Sequence, residues 1–307
     1  MHNIVVLTEK PFASDAVNKM SDIAKAENFD IKFVENYKTK EEAYEGVKDA
    51  EALIVRSDIV DKDLIAHAPN LKIVVRAGAG YDNIDLAACT ERGIVAMNTP
   101  GQNSNAVAEL VFGLLLYMVR NFFDGSTGIE LKNKKIGIHA YGNVGKNVAR
   151  IAKGFDMDVY AYDPFVKPEE IIKDGVTPLT SVEELYKTCQ IVSIHIPATK
   201  ETTKSINAKL FENLPKNAII VNTARKEVIN EDDLIACMEK REDIKYVTDI
   251  KADRHDEIIE KFPKRYFATA KKMGAQTKEA NNNAGLAAVK QIIAYFNNGD
   301  TTFQVNK

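Results

Sequence analysis

A chain of 307 residues is long for one hydrophobic core and comfortable for two domains. Hydrophobic content of 45% and 28% charged residues describe an ordinary soluble globular protein, and a net charge of −3 argues against a nucleic-acid or anionic-membrane partner. There is neither a basic-then-apolar amino terminus nor a long uncharged apolar run, so a cytoplasmic location with no membrane contact is expected. Cys89, Cys189 and Cys237 are far apart and read as reduced thiols. The five histidines, His2, His67, His139, His195 and His255, lack metal-ligand spacing, so no metal is expected.

In chain order, residues 3–7 form an apolar strand, and 12–26 carry helical spacing through Ala16, Met20, Ile23 and Ala24. Strands are predicted at 31–34, 52–55, 72–76 and 94–97, separated by helical stretches near 40–49, 61–67 and 84–91. Strands alternating with helices imply a parallel sheet, whose ligands sit past the carboxyl ends of its strands. Two such ends are polar: Arg56-Ser57, and Arg76 followed by Ala77-Gly78-Ala79-Gly80, whose N–H groups can form an anion nest. A pattern break at 98–103 (NTPGQN) ends this first domain near Asn98. The largely apolar helix that follows, 104–120, should be buried, as a domain connector, in a subunit interface, or both.

Residues 135–163 carry the densest signal. An apolar strand leads into Ala140-Tyr141-Gly142-Asn143-Val144-Gly145, then a helix, then a second strand ending on Asp163. This is a βαβ unit with a dinucleotide-binding turn. Gly142 admits a pyrophosphate, Gly145 lets helix and strand pack closely, and the helix N-terminus offers N–H groups to the phosphates. The Asp163 carboxylate suits a ribose diol and repels a 2′-phosphate, which favours NAD over NADP. The first glycine of G-x-G-x-x-G is Ala140, tolerable where that position keeps a negative φ. Further strands at 190–194, 218–222 and 245–249 end in His195-Ile196-Pro197, Asn222-Thr223-Ala224-Arg225 and Asp249, all on the rim of the pyrophosphate turn. A short strand at 265–269 precedes Lys271-Lys272-Met273-Gly274, and a helix at 276–297 closes the chain. The expected fold class is α/β, with two doubly wound, Rossmann-like parallel-sheet domains and a cleft between them.

IVRSD at 54–58, RAGAGYDNID at 76–85, NTPGQN at 98–103, HIP at 195–197, NTARKEVI at 222–229 and VTD at 247–249 together resemble the D-isomer-specific 2-hydroxyacid dehydrogenase family over nearly the whole chain. Within it the likeness is strongest to members acting on D-3-phosphoglycerate, in a short form lacking a C-terminal regulatory domain. The resemblance implies a substrate domain, 1–98 completed by 276–307, around an NAD-binding domain at 99–275, with catalysis in the cleft. It implies NAD contacts from Tyr141, Gly142, Asn143, Val144, Gly145, Asp163, His195, Ile196, Pro197, Thr223, Ala224 and Asp249, although His195 reads equally as a satisfied core histidine. Substrate contacts are expected from Arg56, Ser57, Ala77, Gly78, Ala79, Gly80 and Asn103. Arg225 corresponds to the substrate-binding arginine, and a guanidinium suits a 2-oxo acid because it grips carboxylate and carbonyl together.

The family's proton-transfer histidine and its glutamate partner are both missing. Thr269-Ala270-Lys271 stands where Thr-Pro-His would, and counting back from Gly274-Ala275-Gln276-Thr277 gives Lys272 instead. Arg254 takes the glutamate's place. The changes are coherent, because a carboxylate beside lysine would raise a pKa of ~10.4 further, whereas a useful lysine base needs desolvation and a neighbouring cation such as Arg225 or Arg254. Register from the strand favours Lys271 over Lys272. The expected activity is NAD-dependent oxidation of D-3-phosphoglycerate to 3-phosphohydroxypyruvate by a homodimer. The alternatives are a glyoxylate or hydroxypyruvate reductase and a non-catalytic NAD(H)-sensing protein of the same fold.

Overall fold

The computed structural model describes residues 2–307, which divide into two compact units. One comprises the chain up to Asn103 together with Ala275–Lys307, and the other Ser104–Gly274.

In the first unit, β1 (His2–Thr8), β2 (Phe29–Glu35), β3 (Ala52–Val55), β4 (Ile73–Arg76) and β5 (Val95–Asn98) form an all-parallel sheet in the order β2-β1-β3-β4-β5. Every residue of β3 is buried, as are Ile73, Val74 and Val75 of β4, because helices cover both faces. α1 (Ser14–Ala26) lies on one face with the last helix, while α2 (Lys40–Val47), α3 (Lys62–Ala66) and α4 (Leu86–Glu91) serve the other core. Thr39, Asp61 and Asp85 each accept a backbone N–H at the start of α2, α3 and α4. The final helix (Lys278–Asn298) buries Ala288, Val289 and Ile292 beside Ala16 and Met20 of α1. It approaches so closely that a Cβ on Gly285 would lie 2.9 Å from the sulfur of Met20. Beyond it, Gln304 bridges Met97 antiparallel, and Asn306 bonds Ala96 N and Ile94 O, covering the β5 edge.

In the second unit, α5 (Ser104–Val119) precedes β6 (Lys135–His139), α6 (Asn143–Gly154), β7 (Asp158–Tyr162), α7 (Pro168–Lys173) and β8 (Thr177–Pro178). Then come α8 (Val182–Thr188), β9 (Ile191–Ile194), α9 (Ala208–Phe211), β10 (Ile219–Asn222), α10 (Glu231–Lys240), β11 (Lys245–Thr248), α11 (His255–Lys261) and β12 (Tyr266–Ala268). The last helix of the chain is thus α12. The parallel sheet runs β12-β11-β10-β9-β6-β7-β8, so strand order reverses at β6. That reversal opens a crevice at the carboxyl ends, where α/β sheets bind ligands. The apolar sequence of α5 is accounted for within this unit: Val111, Leu115, Met118 and Val119 share a core with Ile136, Ile138, Val221 and Val247, and Phe112 stacks on Phe155 at 5.1 Å.

Candidate functional site

The turn after β6 is built as the sequence spacing suggests, with one exception. Gly142 caps α6, and a Cβ there would meet no atom within 4 Å, leaving open space above the free N–H groups of the first helical turn. A Cβ on Gly145 would lie 2.4 Å from the Ala140 carbonyl oxygen, so only glycine permits this helix-to-strand distance. The exception is Ala140, whose φ is +82° rather than negative. An L-residue there is strained, and the turn tolerates this because Ala140 N is held by Tyr162 O at 2.9 Å and Tyr141 N by Asp163 Oδ2 at 2.7 Å. Asp163 also accepts Phe165 N at 2.8 Å on its other oxygen, which fixes the carboxylate plane beside the turn. Tyr141 is fully buried, with its N–H donated to Asp163 and its hydroxyl to Asp174, so its role in the turn is structural. Asn143 and Val144 open α6 with the N–H groups named above.

His139, the residue before Ala140, is buried, and burial pushes its pKa down to about 4 against a modest opposing pull from Asp163. At the end of β9, His195 N donates to His139 O at 2.9 Å, and its Nε2 lies 2.8 Å from the Ser193 hydroxyl. Burial, then the neighbouring His139, lowers its pKa to about 3, so the ring is neutral at physiological pH. Ile196 is buried and Pro197 exposed.

The ends of β10 and β11 supply the unfilled polar positions. Buried Asn222 shapes the turn that carries the arginine, since its amide accepts Ala224 N at 3.0 Å and donates to Arg225 O at 2.9 Å. Arg225 NH1 donates to Ala224 O at 2.9 Å. Thr223 Oγ1 and Asp249 Oδ1 are both buried with no hydrogen-bond partner. Such atoms carry a desolvation cost that a bound polar ligand removes. Burial raises the Asp249 pKa, opposed chiefly by the Gly274 N–H and then by Lys272. Open space at Gly142, free helix N–H groups, an oriented carboxylate at Asp163 and two orphaned polar atoms on the same rim fit a dinucleotide.

Of the two candidate lysines, Lys272 is the one brought to Arg225. Its Nζ donates to Ala224 O at 3.2 Å, the carbonyl that Arg225 also uses. Lys271 and Lys272 are both exposed, so the desolvation expected for a lysine base is not found, and what distinguishes Lys272 is its reach to the Arg225 turn. The chain turns at once after β12, where the Thr269 hydroxyl donates to Lys271 O at 2.8 Å. Arg254 is engaged elsewhere, pairing with Asp232 and with Glu257 at 2.6 Å; the charged neighbours of this turn are Arg225 and the Asp249 carboxylate, so the carboxylate-free surroundings expected for a lysine base are not found.

In the first unit, the Arg56 guanidinium donates to Lys10 O at 2.7 Å, Pro11 O at 3.2 Å and Asn281 Oδ1 at 2.8 Å, and stacks over Phe12. Ser57 is exposed and Asn103 half-buried. The nest is narrower than expected: Ala77 N and Gly78 N donate to Val55 O and Arg76 O at 2.8 Å, and only the N–H groups of Ala79 and Gly80 have no acceptor there. Sequence reasoning gave Arg76 no role beyond charge. Its side chain donates to Arg56 O and occupies the place a Cβ on Gly78 would take, which explains that glycine. Asn222 and Gly274 shape the site as well, and an Asn ending a buried strand is itself a turn signal.

Residues 118–264 match the model of the D-isomer specific 2-hydroxyacid dehydrogenase, NAD binding domain. The D-3-phosphoglycerate dehydrogenase of Methanocaldococcus jannaschii is 33% identical over 94% of the chain, which spans only 57% of that protein's length. Glyoxylate reductase of Thermococcus litoralis is 32% identical, with 82% of each chain covered. Among solved structures, the NAD+-bound 3-phosphoglycerate dehydrogenase of Entamoeba histolytica superposes with a TM-score of 0.86 at 46% identity, covering 100% of this chain and 99% of that one. With the nucleotide turn, the Arg225 turn and Asp249 in place, these matches show that the chain belongs to the D-isomer-specific 2-hydroxyacid dehydrogenase family.

Proposed function

We propose that the chain oxidises D-3-phosphoglycerate to 3-phosphohydroxypyruvate with NAD, the first step of serine synthesis, and does so as a cytoplasmic homodimer. The observation that carries the chemistry is the convergence of Lys272 Nζ and Arg225 on Ala224 O, next to the orphaned oxygen of Asp249. When bound, NAD supplies the hydride acceptor at its nicotinamide. The residues to hold it are Asn143, Val144 and Gly145 at the pyrophosphate, Asp163 at the ribose, and Thr223 and Asp249 at the carboxamide end. Arg225 grips the substrate carboxylate and polarises C2. As the C2–H bond breaks and hydride departs, Lys272 in its neutral form takes the 2-hydroxyl proton, and the C–O bond becomes a carbonyl. In the reductive direction the Lys272 ammonium returns that proton. Arg56, Ser57 and the Ala79–Gly80 N–H groups are proposed for the substrate's phosphate and carboxylate.

A second reading, reduction of glyoxylate or hydroxypyruvate, is favoured by one observation. Three donor contacts of Arg56 are already engaged within its own unit, and an unphosphorylated substrate needs nothing from it. A panel of 2-hydroxy and 2-oxo acids with NAD and NADP decides between the two. The phosphoglycerate reading expects the highest kcat/KM for that substrate with NAD, and glyoxylate turning over faster would reverse the order. Lys272→Ala should lower kcat by ~10²–10⁴-fold with NAD still bound, and Lys271→Ala far less. Cofactor binding with no turnover on any acid would leave a sensor.

A further inference from the structure

Asp249 is fully buried immediately after β11, and its two carboxylate oxygens have different surroundings. Oδ2 accepts the N–H groups of Gly274 at 2.8 Å and Met273 at 3.3 Å. Oδ1, equally buried, has no partner. The main chain of the same residue holds the other side of the lysine turn, because the Thr269 hydroxyl lies 2.9 Å from Asp249 O and 2.8 Å from Lys271 O. The turn that carries Lys272 is therefore pinned before and after the lysine, both times on Asp249. Gly274 fits because a Cβ there would stand 2.9 Å from Asp249 Oδ2 and 3.3 Å from Val107.

We propose that Asp249 is a positioning residue for Lys272, and that a donor arriving at its free oxygen from the cofactor couples cofactor occupancy to the placement of the lysine. The proposal rests on the reading of Lys272 as the proton-transfer group. A carboxylate suits the task because it accepts on every lone pair, so it can hold two backbone N–H groups on one oxygen and a carboxamide donor on the other. Asparagine can serve only one side: with its oxygen toward Gly274, its NH₂ opposes an incoming donor. The coupling is mechanical, since a carboxylate drawn toward the cofactor carries the Met273 and Gly274 amides with it.

Three variants test this through kcat, NAD affinity and amide hydrogen exchange. Gly274→Ala displaces the tether and leaves Oδ1 alone, so kcat should fall ~10–100-fold, the scale of a displaced catalytic group, with the NAD dissociation constant nearly unchanged. Asp249→Asn should weaken NAD more than it alters the tether, and Asp249→Ala should lose both. Amide hydrogen exchange of Met273 and Gly274, which requires no turnover, should accelerate in Asp249→Ala and slow on adding NAD in the parent chain but not in Asp249→Asn. Thermal unfolding of each variant identifies one that fails to fold, in which case the exchange comparison of the parent with and without NAD decides. Exchange at Gly274 indifferent to NAD in the parent, or normal kcat in folded Gly274→Ala, overturns the proposal. Normal turnover in Lys272→Ala would instead remove the role of the lysine, while the exchange data would still report whether the tether exists.

Discussion

Replacing Asp163 by Asn or by Ala separates two tasks that one carboxylate performs. A carboxylate offers about four lone-pair sites. Tyr141 N at 2.7 Å and Phe165 N at 2.8 Å each occupy one oxygen, which leaves acceptor capacity on both for the ribose hydroxyls. Losing those charge-assisted bonds should weaken NAD by ~2–4 kcal/mol, a factor of roughly 30 to 1000. The bond to Tyr141 N acts differently, because it holds the pyrophosphate turn that any dinucleotide uses. In Asp163→Ala its loss should add about 1 kcal/mol of weakening to NAD and NADP alike. Against NADP stands the repulsion of a 2′-phosphate, worth ~4 kcal/mol per charge pair at about 4 Å and an effective dielectric near 20. Asp163→Asn removes that repulsion while its amide oxygen can still accept from the turn. Titration by NADH and NADPH fluorescence should therefore show the preference for NAD falling at least ~100-fold in Asp163→Asn, with a smaller gain for NADP in Asp163→Ala. Equal weakening of both cofactors in Asp163→Asn would refute the assignment of Asp163 to the ribose.

Ala140→Gly should stabilise the protein. A φ of +82° costs an L-residue ~1–2 kcal/mol, and the extra freedom of glycine in the unfolded chain returns ~0.4–1 of this, leaving ~0.5–1 kcal/mol, or a few degrees of Tm; a lower Tm would show that the turn gains from the methyl group. Arg56→Ala should raise KM for phosphoglycerate with little effect on an unphosphorylated acid, while lowering Tm through lost bonds to Lys10, Pro11 and Asn281; equal kinetic losses on both substrates would confine Arg56 to architecture. Acid should destabilise the second unit through His139. Its folded pKa of about 4 lies below the unfolded ~6.5, so the unfolded state binds more protons between those values and stability falls as pH drops through that window, by ~2 kcal/mol at pH 5. Urea midpoints at pH 7 and pH 5 for the parent and His139→Gln check this, and an unaltered pH dependence in the variant would exclude His139 as the cause.

Much of the architecture was legible in the sequence for a physical reason. Parallel strands buried on both faces must be continuous apolar runs, so ALIV at 52–55 and the strands at 73–76 and 219–222 stand out, and the polar residues that end them mark the binding rim. The glycine spacing at 142 and 145 was equally plain, since one position needs empty space and the other has a carbonyl where a Cβ would sit. The stretch 168–188 carries no comparable signal, because α7 and α8 are short and polar and β8 is a two-residue edge strand that exists through its pairing with β7.

Only the tertiary structure decided the remainder. The sign of φ at Ala140 follows from where Tyr162 and Asp163 hold the turn, and no local pattern encodes it. The partners of Arg56 include Asn281, 225 residues away. Whether Lys271 or Lys272 reaches the Arg225 turn depends on how the loop after β12 is held, and adjacent side chains leave the backbone in different directions. The hydroxyl of Thr269 and the carboxylate of Asp249 hold that loop, from which the Lys272 ammonium reaches the carbonyl that Arg225 also uses. Sequence determined which elements form and which residue types reach the rim, because burial and backbone geometry are local demands. Which of two neighbouring lysines meets the arginine was set by hydrogen bonds to a residue more than twenty positions earlier, a contact that exists only after the sheet has assembled.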